Sequence, residues 1–502
     1  MWRIVLCIAA LSVVSWASSP LSTSPFPVVG VKTGIDKNTG QPPPRLNINT
    51  LWARRGPQWD LYILALSELQ ALDERDELSY YALTVTIATR YTSDLQPEYV
   101  AAAQTLRQPY WDWAAEPTLP PAVNYAHVTV RGPRGLVEMA NPLYTYRFQR
   151  PAVELGFGGA LAEYTETIRC VSCEEPISNF TKANEQLWAV EEDLTSEVYD
   201  VFTRTETDGW RVSDFEDPHN LIHAEAACNG TFADINWAAF DPLFMLHHCN
   251  VDRLVAMWQA IHYDDALFPG TENSTGQYGT PVNTTISANS PLKPFFDETM
   301  AFHTSHSVAN ITTFGYTYPE LPAWRMPLEA RASHVRAHVN SLYGRGSNGL
   351  SQTRTWNKAG LPVSKNYYTA EIGVDRSEMP LPATVALLMG GQPVGHASML
   401  AMPCEGRAKF SLPVRNILVG NHTLRDLPPA RVIGVLQRDL AVEIRKIDGT
   451  YFPIAAAPSL HLEIQHMEYT PRANESAFPV FRKNARKWPV QLRQHHRHHP
   501  RQ

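Results

Sequence analysis

The sequence predicts a mainly α-helical chain with long loops, followed by a C-terminal β-rich domain. Apolar residues recur at helical spacing in several segments of the first half, including 58–78 and 185–201. Residues 114–165 and 264–313 are punctuated by Pro, Gly, Asn, Ser and Thr, which is typical of loops. From about residue 326, short β-type segments separated by turn residues replace the helical pattern.

The individual elements follow from local patterns. Residues 58–78 form an amphipathic pattern, and 98–107 form a second helical stretch. The aromatic cluster Tyr110–Trp113 surrounds one carboxylate, and we interpret it as core packing. The following segments of the C-terminal part are predicted to be strands: 363–367, 384–389, 431–436 and 461–464.

The stretch 241–254 predicts a helix that carries chemistry. Asp241 suits the N-cap, and Pro242 suits the first helical position. Phe244, His248 and Asp252 are spaced four apart, so they share one helix face. An aromatic ring, an imidazole and a carboxylate on one face indicate a metal ligand with its supporting groups. The alternative is that His247 and His248 are merely polar residues on a core helix.

A second histidine pattern lies upstream. His219 and His223 are spaced i, i+4, so both imidazoles can point at one metal ion from one helix turn. The helix is predicted to end near Cys228, before an Asn-Gly pair. Together with one residue of the His247/His248 pair, three imidazoles are available. Imidazole suits copper, zinc, iron or nickel, so ligand type alone leaves the metal open.

Composition and the N-terminus limit the classes of function. The net charge of −7 over 502 residues gives no reason to expect nucleic-acid binding. Residues 1–19 have the basic start, short apolar run and small residues of a signal peptide, and no later stretch predicts a membrane span. Seven Asn-x-Ser/Thr sequons agree with a secretory route. We therefore expect a secreted glycoprotein without nucleic-acid or membrane partners.

Taken together, the motifs resemble the long fungal tyrosinases of the type-3 copper family. The resemblance covers roughly residues 45–325 and rests on the motifs 58–62, 110–113, 219–223, 241–253 and 316–318. It implies a four-helix-bundle type-3 copper domain over 20–325, with two coppers, each held by three histidines. It further implies O2-dependent oxidation of phenols to o-quinones, the chemistry of melanin. Residues 326–490 would form a β-type domain that covers the site, before a basic, His-rich tail at 491–502.

The resemblance also assigns roles to single residues. His219, His223 and His248 match the three ligands of the second copper. Phe244 matches an aromatic that packs between ligand rings, and Asp252 matches a carboxylate that orients a ligand. Glu216 and Asn220 match a pair that holds a water proposed to accept the phenol proton, a role that suits a fixed carboxylate.

One expected copper site has no ligands in this sequence. The resemblance places the first three histidines between Ser79 and Trp111, but that segment contains none, and the first histidine of the chain is His127. We therefore expect the domain to be incomplete between residues 81 and 84, as if one block had been excised, through an error in the gene model or a truncated splice form. The alternative is a non-catalytic pseudoenzyme with a mononuclear copper or phenol-binding site. The pairs His303/His306 and His334/His338 are not expected to substitute.

Overall fold

The structure is a computed structural model. It describes residues 27–72, 87, 89–92, 94–151, 153–154, 158–171, 177–204, 212–264, 271–273, 279–281, 283–321, 326–344, 353–360, 362–414, 424, 427–483 and 485–492. The predicted signal peptide, the interruption between 81 and 84, and all but the first two residues of the basic tail lie outside these residues.

Nine α-helices occur among the residues that the structure describes. They are α1 Ile48–Arg54, α2 Pro57–Ala71, α3 Gln96–Thr105, α4 Phe180–Ala189, α5 Glu191–Thr203, α6 Glu216–Ala227, α7 Leu243–Ile261, α8 Leu328–Leu342 and α9 Pro429–Asp439. No helix within the described ranges is long and apolar enough to cross a membrane.

The strands lie mostly in the C-terminal part. They are β1 His127–Gly132, β2 Gly135–Ala140, β3 Glu272–Asn273, β4 Thr285–Ile286, β5 Lys365–Asp375, β6 Ala383–Met389, β7 Gln392–Met399, β8 Arg407–Pro413, β9 Leu440–Lys446, β10 Tyr451–Phe452, β11 His461–Thr470, β12 Val480–Phe481 and β13 Arg486–Val490. The predicted fold class, a helical core with a β-rich C-terminal domain, is confirmed.

The chain divides into two compact units. The described residues of Met1–Trp113, Thr118–Thr181 and Gly230–Ala332 form the first, and those of Ala114–Pro117, Lys182–Asn229 and Ser333–Gln502 form the second. In the first unit, α2 packs against α3 and β1, and its Trp59 and Leu61 are fully buried. Strands β1 and β2 form an antiparallel hairpin. Helix α7 is buried along most of its length, so it forms part of the core of this unit.

The second unit is built on two antiparallel sheets. One has the strand order β10-β9-β6-β7, and the other has the order β12-β11-β5-β8 with β13 also paired to β11. Apolar side chains from both sheets and from α9 form one core cluster, which includes Ile372, Val385 and Leu436. Strand β7 packs against α6, and β8 packs against α5. The helix that carries His219 and His223 is therefore in contact with the β-rich part of the chain.

Some sequence-based predictions of secondary structure were wrong. The segment 431–436, predicted to be a strand, lies inside helix α9. A short apolar run fits either state, but Val432, Ile433 and Leu436 share one buried helix face, and Pro429 suits the first helical turn. The predicted helix 185–201 is two helices, which meet at Val190 with φ −113° and ψ 12°.

Candidate metal centre

Helix α6 carries the first histidine pair. The rings of His219 and His223 lie with their centroids 4.8 Å apart, and both side chains are buried. The Nδ1 atom of His219 lies 3.1 Å from the Oδ1 atom of Asn220. Because an amide oxygen only accepts hydrogen bonds, the His219 Nδ1–H is the donor, and Nε2 is the nitrogen that keeps a lone pair. Helix α6 ends as predicted at Cys228, which has a positive φ of 54°.

Helix α7 begins at Leu243, one residue after Pro242, which the sequence predicted as the first helical position. The Oδ1 atom of Asp241 accepts a hydrogen bond from the Leu243 backbone N–H at 2.9 Å, so Asp241 caps the first turn. The guanidinium of Arg169 forms a buried ion pair with the same carboxylate. Arg169 therefore compensates the buried charge of Asp241, and the same carboxylate holds the first turn of α7 through the Leu243 N–H.

His248 is oriented by its own helix. Its Nδ1–H donates to the backbone carbonyl of Phe244 at 2.9 Å, and the two rings pack with centroids 3.9 Å apart. The Nε2 atom of His248 is consequently the nitrogen with the lone pair, as for His219. Phe244 itself is buried, which holds the imidazole against a rigid surface. Phe244 and His248 are thus in direct ring contact, and the role of Phe244 between ligand rings stays a prediction.

His247 is a member of the histidine group that was not among the ligands predicted from the sequence. Its ring is fully buried and lies 5.7 Å from the ring of Trp113 and 5.8 Å from that of Phe232. The centroid of the His248 ring is 4.8 Å away. The signal in the sequence was the His-His pair, but spacing alone does not say which of two adjacent imidazoles is a ligand.

Four buried histidines form a candidate metal-binding group. The ligand atoms offered by His219, His223, His247 and His248 all lie within 4.8 Å of one another. Imidazole nitrogen is a good ligand for copper and for other late first-row metals. For two of the four rings a hydrogen bond at Nδ1 already fixes the tautomer that leaves Nε2 for a metal. The donor set therefore fits a copper ion.

Glu216 and Asn220 lie on the same face of α6. Glu216 is the first residue of the helix and is partly buried, and Asn220 follows it by four residues. The Asn220 side-chain oxygen accepts from His219, as described above, so this residue supports a candidate ligand directly. The sequence predicted Asn220 as a holder of water and did not predict this contact.

Asp252 contacts a tyrosine pair. Its Oδ2 atom accepts hydrogen bonds from the hydroxyls of Tyr316 at 2.8 Å and Tyr318 at 2.5 Å, and the Arg45 guanidinium lies at 3.4 Å. Burial, together with the charge of Asp252, raises the pKa of each tyrosine well above the usual range of a tyrosine hydroxyl. These contacts link Tyr316 and Tyr318 to α7. The role of orienting a ligand, which the sequence predicted for Asp252, stays a prediction.

The Tyr110–Trp113 cluster is core packing, as predicted, and it contains an ion-pair network. The Arg253 guanidinium lies 3.1 Å from an Asp112 oxygen and 2.6 Å from a Glu320 oxygen, and it also lies over the Tyr110 ring. All three charged residues are buried. No local pattern in the sequence indicates this network, because its members are far apart along the chain.

The histidines considered as substitutes have other surroundings. His303 is buried and bonds through Nδ1 to the Ser307 hydroxyl and through Nε2 to the Val28 carbonyl. His334 and His338 pair with each other on α8, with ring centroids 4.6 Å apart. Within the described residues, none of the three belongs to a group that could hold a metal ion.

The fold and the donor set define the class of protein: a histidine-rich metal-binding domain with a β-rich C-terminal part. Comparison with known proteins makes the class more specific. Residues 82–261 match the family model described as the common central domain of tyrosinase.

Several curated relatives are fungal enzymes. The chain is 26% identical to polyphenol oxidase 3 of Agaricus bisporus over 331 residues, which are 59% of this chain and 57% of that protein. It is 32% identical to the tyrosinase of Neurospora crassa over 297 residues, which are 53% of this chain and 42% of that protein. The chain thus spans about half the length of the curated relatives that it matches.

Solved structures share the fold. A structure of latent and active mushroom tyrosinase has a TM-score of 0.78 at 18% identity, covering 93% of this chain and 98% of that one. An Aspergillus oryzae pro-tyrosinase structure has a TM-score of 0.69 at 17% identity, covering 94% and 98%. Residues 82–261 thus resemble the common central domain of tyrosinase, and the chain is similar to fungal tyrosinases and polyphenol oxidases.

Proposed function

We propose that the chain is a copper oxidoreductase that acts on phenols with O2. The reactions are o-hydroxylation of monophenols and oxidation of o-diphenols to o-quinones, the precursors of melanin-type pigments. The observation that carries the proposal is the buried histidine group, in which hydrogen bonds at Nδ1 orient His219 and His248. The match of residues 82–261 to the tyrosinase central domain, and the similarity to the Neurospora crassa tyrosinase, support the choice of copper and of a phenolic substrate.

In this proposal His219, His223 and His248 hold one copper ion through imidazole nitrogen. Copper, when bound, supplies the electron transfer that neither imidazole nor carboxylate can provide. Phe244 keeps the His248 ring in one orientation by packing against it, and Asn220 does the same for His219 by accepting its Nδ1–H. Both contacts reduce the rearrangement that metal binding would otherwise require.

Glu216 is the proposed acceptor of the substrate proton. A monophenol must lose its hydroxyl proton before it can coordinate a metal, and a partly buried carboxylate with a bound water can take that proton. Glu216 sits four residues before Asn220 on the same face of α6, so one water can contact both side chains. The Asn220 oxygen is used by His219, which leaves the amide N–H groups for that water.

We further propose that the activity of this chain is impaired. No histidine occurs in residues 79–111, where the family resemblance places the first copper triad. Two-electron reduction of O2 in this family uses two coppers, so one triad would not support it. The absence of the first triad favours a second candidate function, a non-catalytic pseudoenzyme with a mononuclear copper or phenol-binding site. The other explanation is that a block is missing between residues 81 and 84, through a gene-model error or truncated splicing. It accounts both for the absent histidines and for the presence of the other motifs.

The C-terminal β-rich domain is proposed to cover the site in a secreted latent form. Within the second unit, β7 packs against α6, the helix that carries His219 and His223. One structural neighbour is described as latent and active mushroom tyrosinase, which supports such a state. The signal peptide at residues 1–19 and the sequons support secretion and glycosylation.

Copper content and O2 uptake of the purified full chain test these proposals. Two coppers per chain with catechol-dependent O2 uptake would establish the oxidase and overturn the proposed impairment. One copper without uptake would favour the pseudoenzyme, and no copper would overturn the metal site. The variant His223→Gln should lose copper, while His306→Gln, which removes an exposed histidine, should not. Sequencing the gene between the codons of Tyr81 and Thr84 separates excision from true loss.

A further inference from the structure

A cleft in the first unit lies apart from the histidine group. It has a volume of about 650 Å³, within the range of small-molecule sites. The junction of α1 and α2 forms one wall, and α3 and the β1–β2 hairpin form the others. None of His219, His223, His247 and His248 lines it, so the site described above does not account for this cleft.

One wall of the cleft is a stack of planar groups. The Arg55 guanidinium lies 3.5 Å from the centroid of the Trp52 ring. The Trp52 ring is nearly parallel to that of Tyr125, with an angle of 5° and centroids 5.9 Å apart. Trp59 packs edge-on against Trp52 and fixes it from the core side. Tyr125 ends the stack and is 56% exposed, so an aromatic face is open to a ligand in the cleft.

The backbone at this wall adopts an unusual conformation. Arg55 has φ 56° and ψ −154°, and Gly56 follows with φ 83°. A positive φ is costly for a residue with a side chain, and such residues concentrate at functional sites. Here the conformation joins α1 directly to α2 and carries the Arg55 guanidinium over Trp52.

Charged groups around the stack are available to a ligand. Among the described residues, the side chains of Arg55, Arg131 and Glu98 form no hydrogen bond or ion pair, although all three line the cleft. Asp60 differs, because its two oxygens accept from the Tyr99 hydroxyl at 2.7 Å and from the Arg131 backbone N–H at 3.1 Å. Burial raises the pKa of Asp60, while the charges of Arg131 and Arg55 act to lower it, so both guanidinium groups lie near this carboxylate without a hydrogen bond to it.

We propose that this cleft binds a small aromatic carboxylate. The ligand ring extends the stack on the open face of Tyr125, and its carboxylate is held by the guanidinium of Arg131. An open aromatic face in a cleft that also holds the Arg131 guanidinium, which has no hydrogen-bond partner among the described residues, matches an aromatic ring attached to an anionic group.

Isothermal titration calorimetry with 3-phenylpropionate tests this proposal on the full chain. The probe has no phenolic hydroxyl, so it is not a substrate for the proposed oxidase, and the result is independent of the copper content. We expect saturable binding of one ligand per chain. Arg131→Gln should weaken it roughly tenfold or more, because a charge-assisted hydrogen bond is lost. Tyr125→Ser should also weaken binding, because it removes the open ring.

Arg134→Gln is the matched control. Arg134 is an exposed arginine in the turn of the same hairpin, and it does not line the cleft. It changes the net charge by the same amount as Arg131→Gln, and binding should be unchanged. Absence of saturable binding, equal affinity for the neutral 3-phenylpropanamide, or an equal loss in both arginine variants would each overturn the proposal. Circular dichroism of each variant confirms that it is folded.

Discussion

The imidazole of His219 and the amide of Asn220, neighbours on α6, are joined by a hydrogen bond of 3.1 Å between Nδ1 and Oδ1. This contact fixes both the tautomer and the direction of the ring before any metal binds. In His248 the tautomer and ring direction are fixed instead by a hydrogen bond from Nδ1–H to the backbone carbonyl of Phe244. A side chain can be replaced but a backbone carbonyl cannot, so only the first contact is open to direct mutation.

Asn220→Leu should lower the affinity for copper by about 10- to 100-fold, because loss of a hydrogen-bond partner of a ligand imidazole has effects of that size. Asn220→Asp keeps the acceptor oxygen and serves as the control, with an affinity close to that of the unmodified protein. Competition titration with a chromogenic copper chelator measures both. Equal affinity of Asn220→Leu and Asn220→Asp would show that this hydrogen bond does not support the metal.

Asp252→Asn should destabilise the fold without weakening copper binding. The carboxylate accepts from Tyr316 and Tyr318 and lies beside Arg45, whereas the described contacts of His248 are made by Phe244 and its neighbours. The side chain of Asp252 is 35% exposed, so we expect a loss of about 1–2 kcal/mol in the free energy of unfolding. Urea denaturation and copper titration, done on the same preparation, separate the two effects. Weaker copper binding at unchanged stability would instead support the role that the sequence predicted.

The helix predicted over 241–254 was predictable because its signals are local, and the structure extends it to Ile261. The Asp-Pro start and the four-residue spacing of Phe244 and His248 lie within a few turns. The partners of Asp252 were not predictable in this way, since Tyr316 and Tyr318 follow it by more than sixty residues. Spacing on a helix shows which side chains share a face, but tertiary contacts decide what that face meets.

The ion-pair network of Arg253 and the helical state of residues 431–436 were unpredictable for the same reason: both depend on tertiary contacts. Arg253 meets Asp112 and Glu320 through chain folding, which no local pattern encodes. In α9, the run 431–436 has the composition of a strand, but its buried side fits a helix packed on β11 and β13. Short apolar runs are decided by the surface that they cover, which the sequence does not show.

The stability of the second unit should fall as pH rises above about 6.5, through the titration of His396. Burial acts to lower the pKa of this imidazole, but a 2.9 Å hydrogen bond to Asp193 and the charges of Asp193 and Glu225 outweigh it, so the pKa lies above its ordinary value of 6.5. The folded state therefore favours the protonated form. Its contribution to the free energy of unfolding is complete below pH 6.5 and is lost as pH rises through the raised pKa.

Thermal unfolding followed by circular dichroism between pH 6 and pH 9 measures this dependence. His396→Gln should reduce the slope, while His461→Gln, which changes an exposed histidine on β11, should keep it. If the His396→Gln curve runs parallel to that of the unmodified protein across this range, the pair with Asp193 does not control the pH dependence.

The two adjacent histidines of α7 should respond differently to substitution. His248→Gln should abolish tight copper binding, because the Phe244 carbonyl holds the His248 ring with Nε2 as the ligand nitrogen. His247→Gln should mainly lower the free energy of unfolding, because the fully buried His247 ring packs between Trp113 and Phe232. Glutamine keeps a polar side chain of similar size in both variants, so the comparison isolates the imidazole. Copper titration and urea denaturation of the two proteins provide the measurement, and loss of copper from His247→Gln alone would move the ligand assignment to the first histidine of the pair.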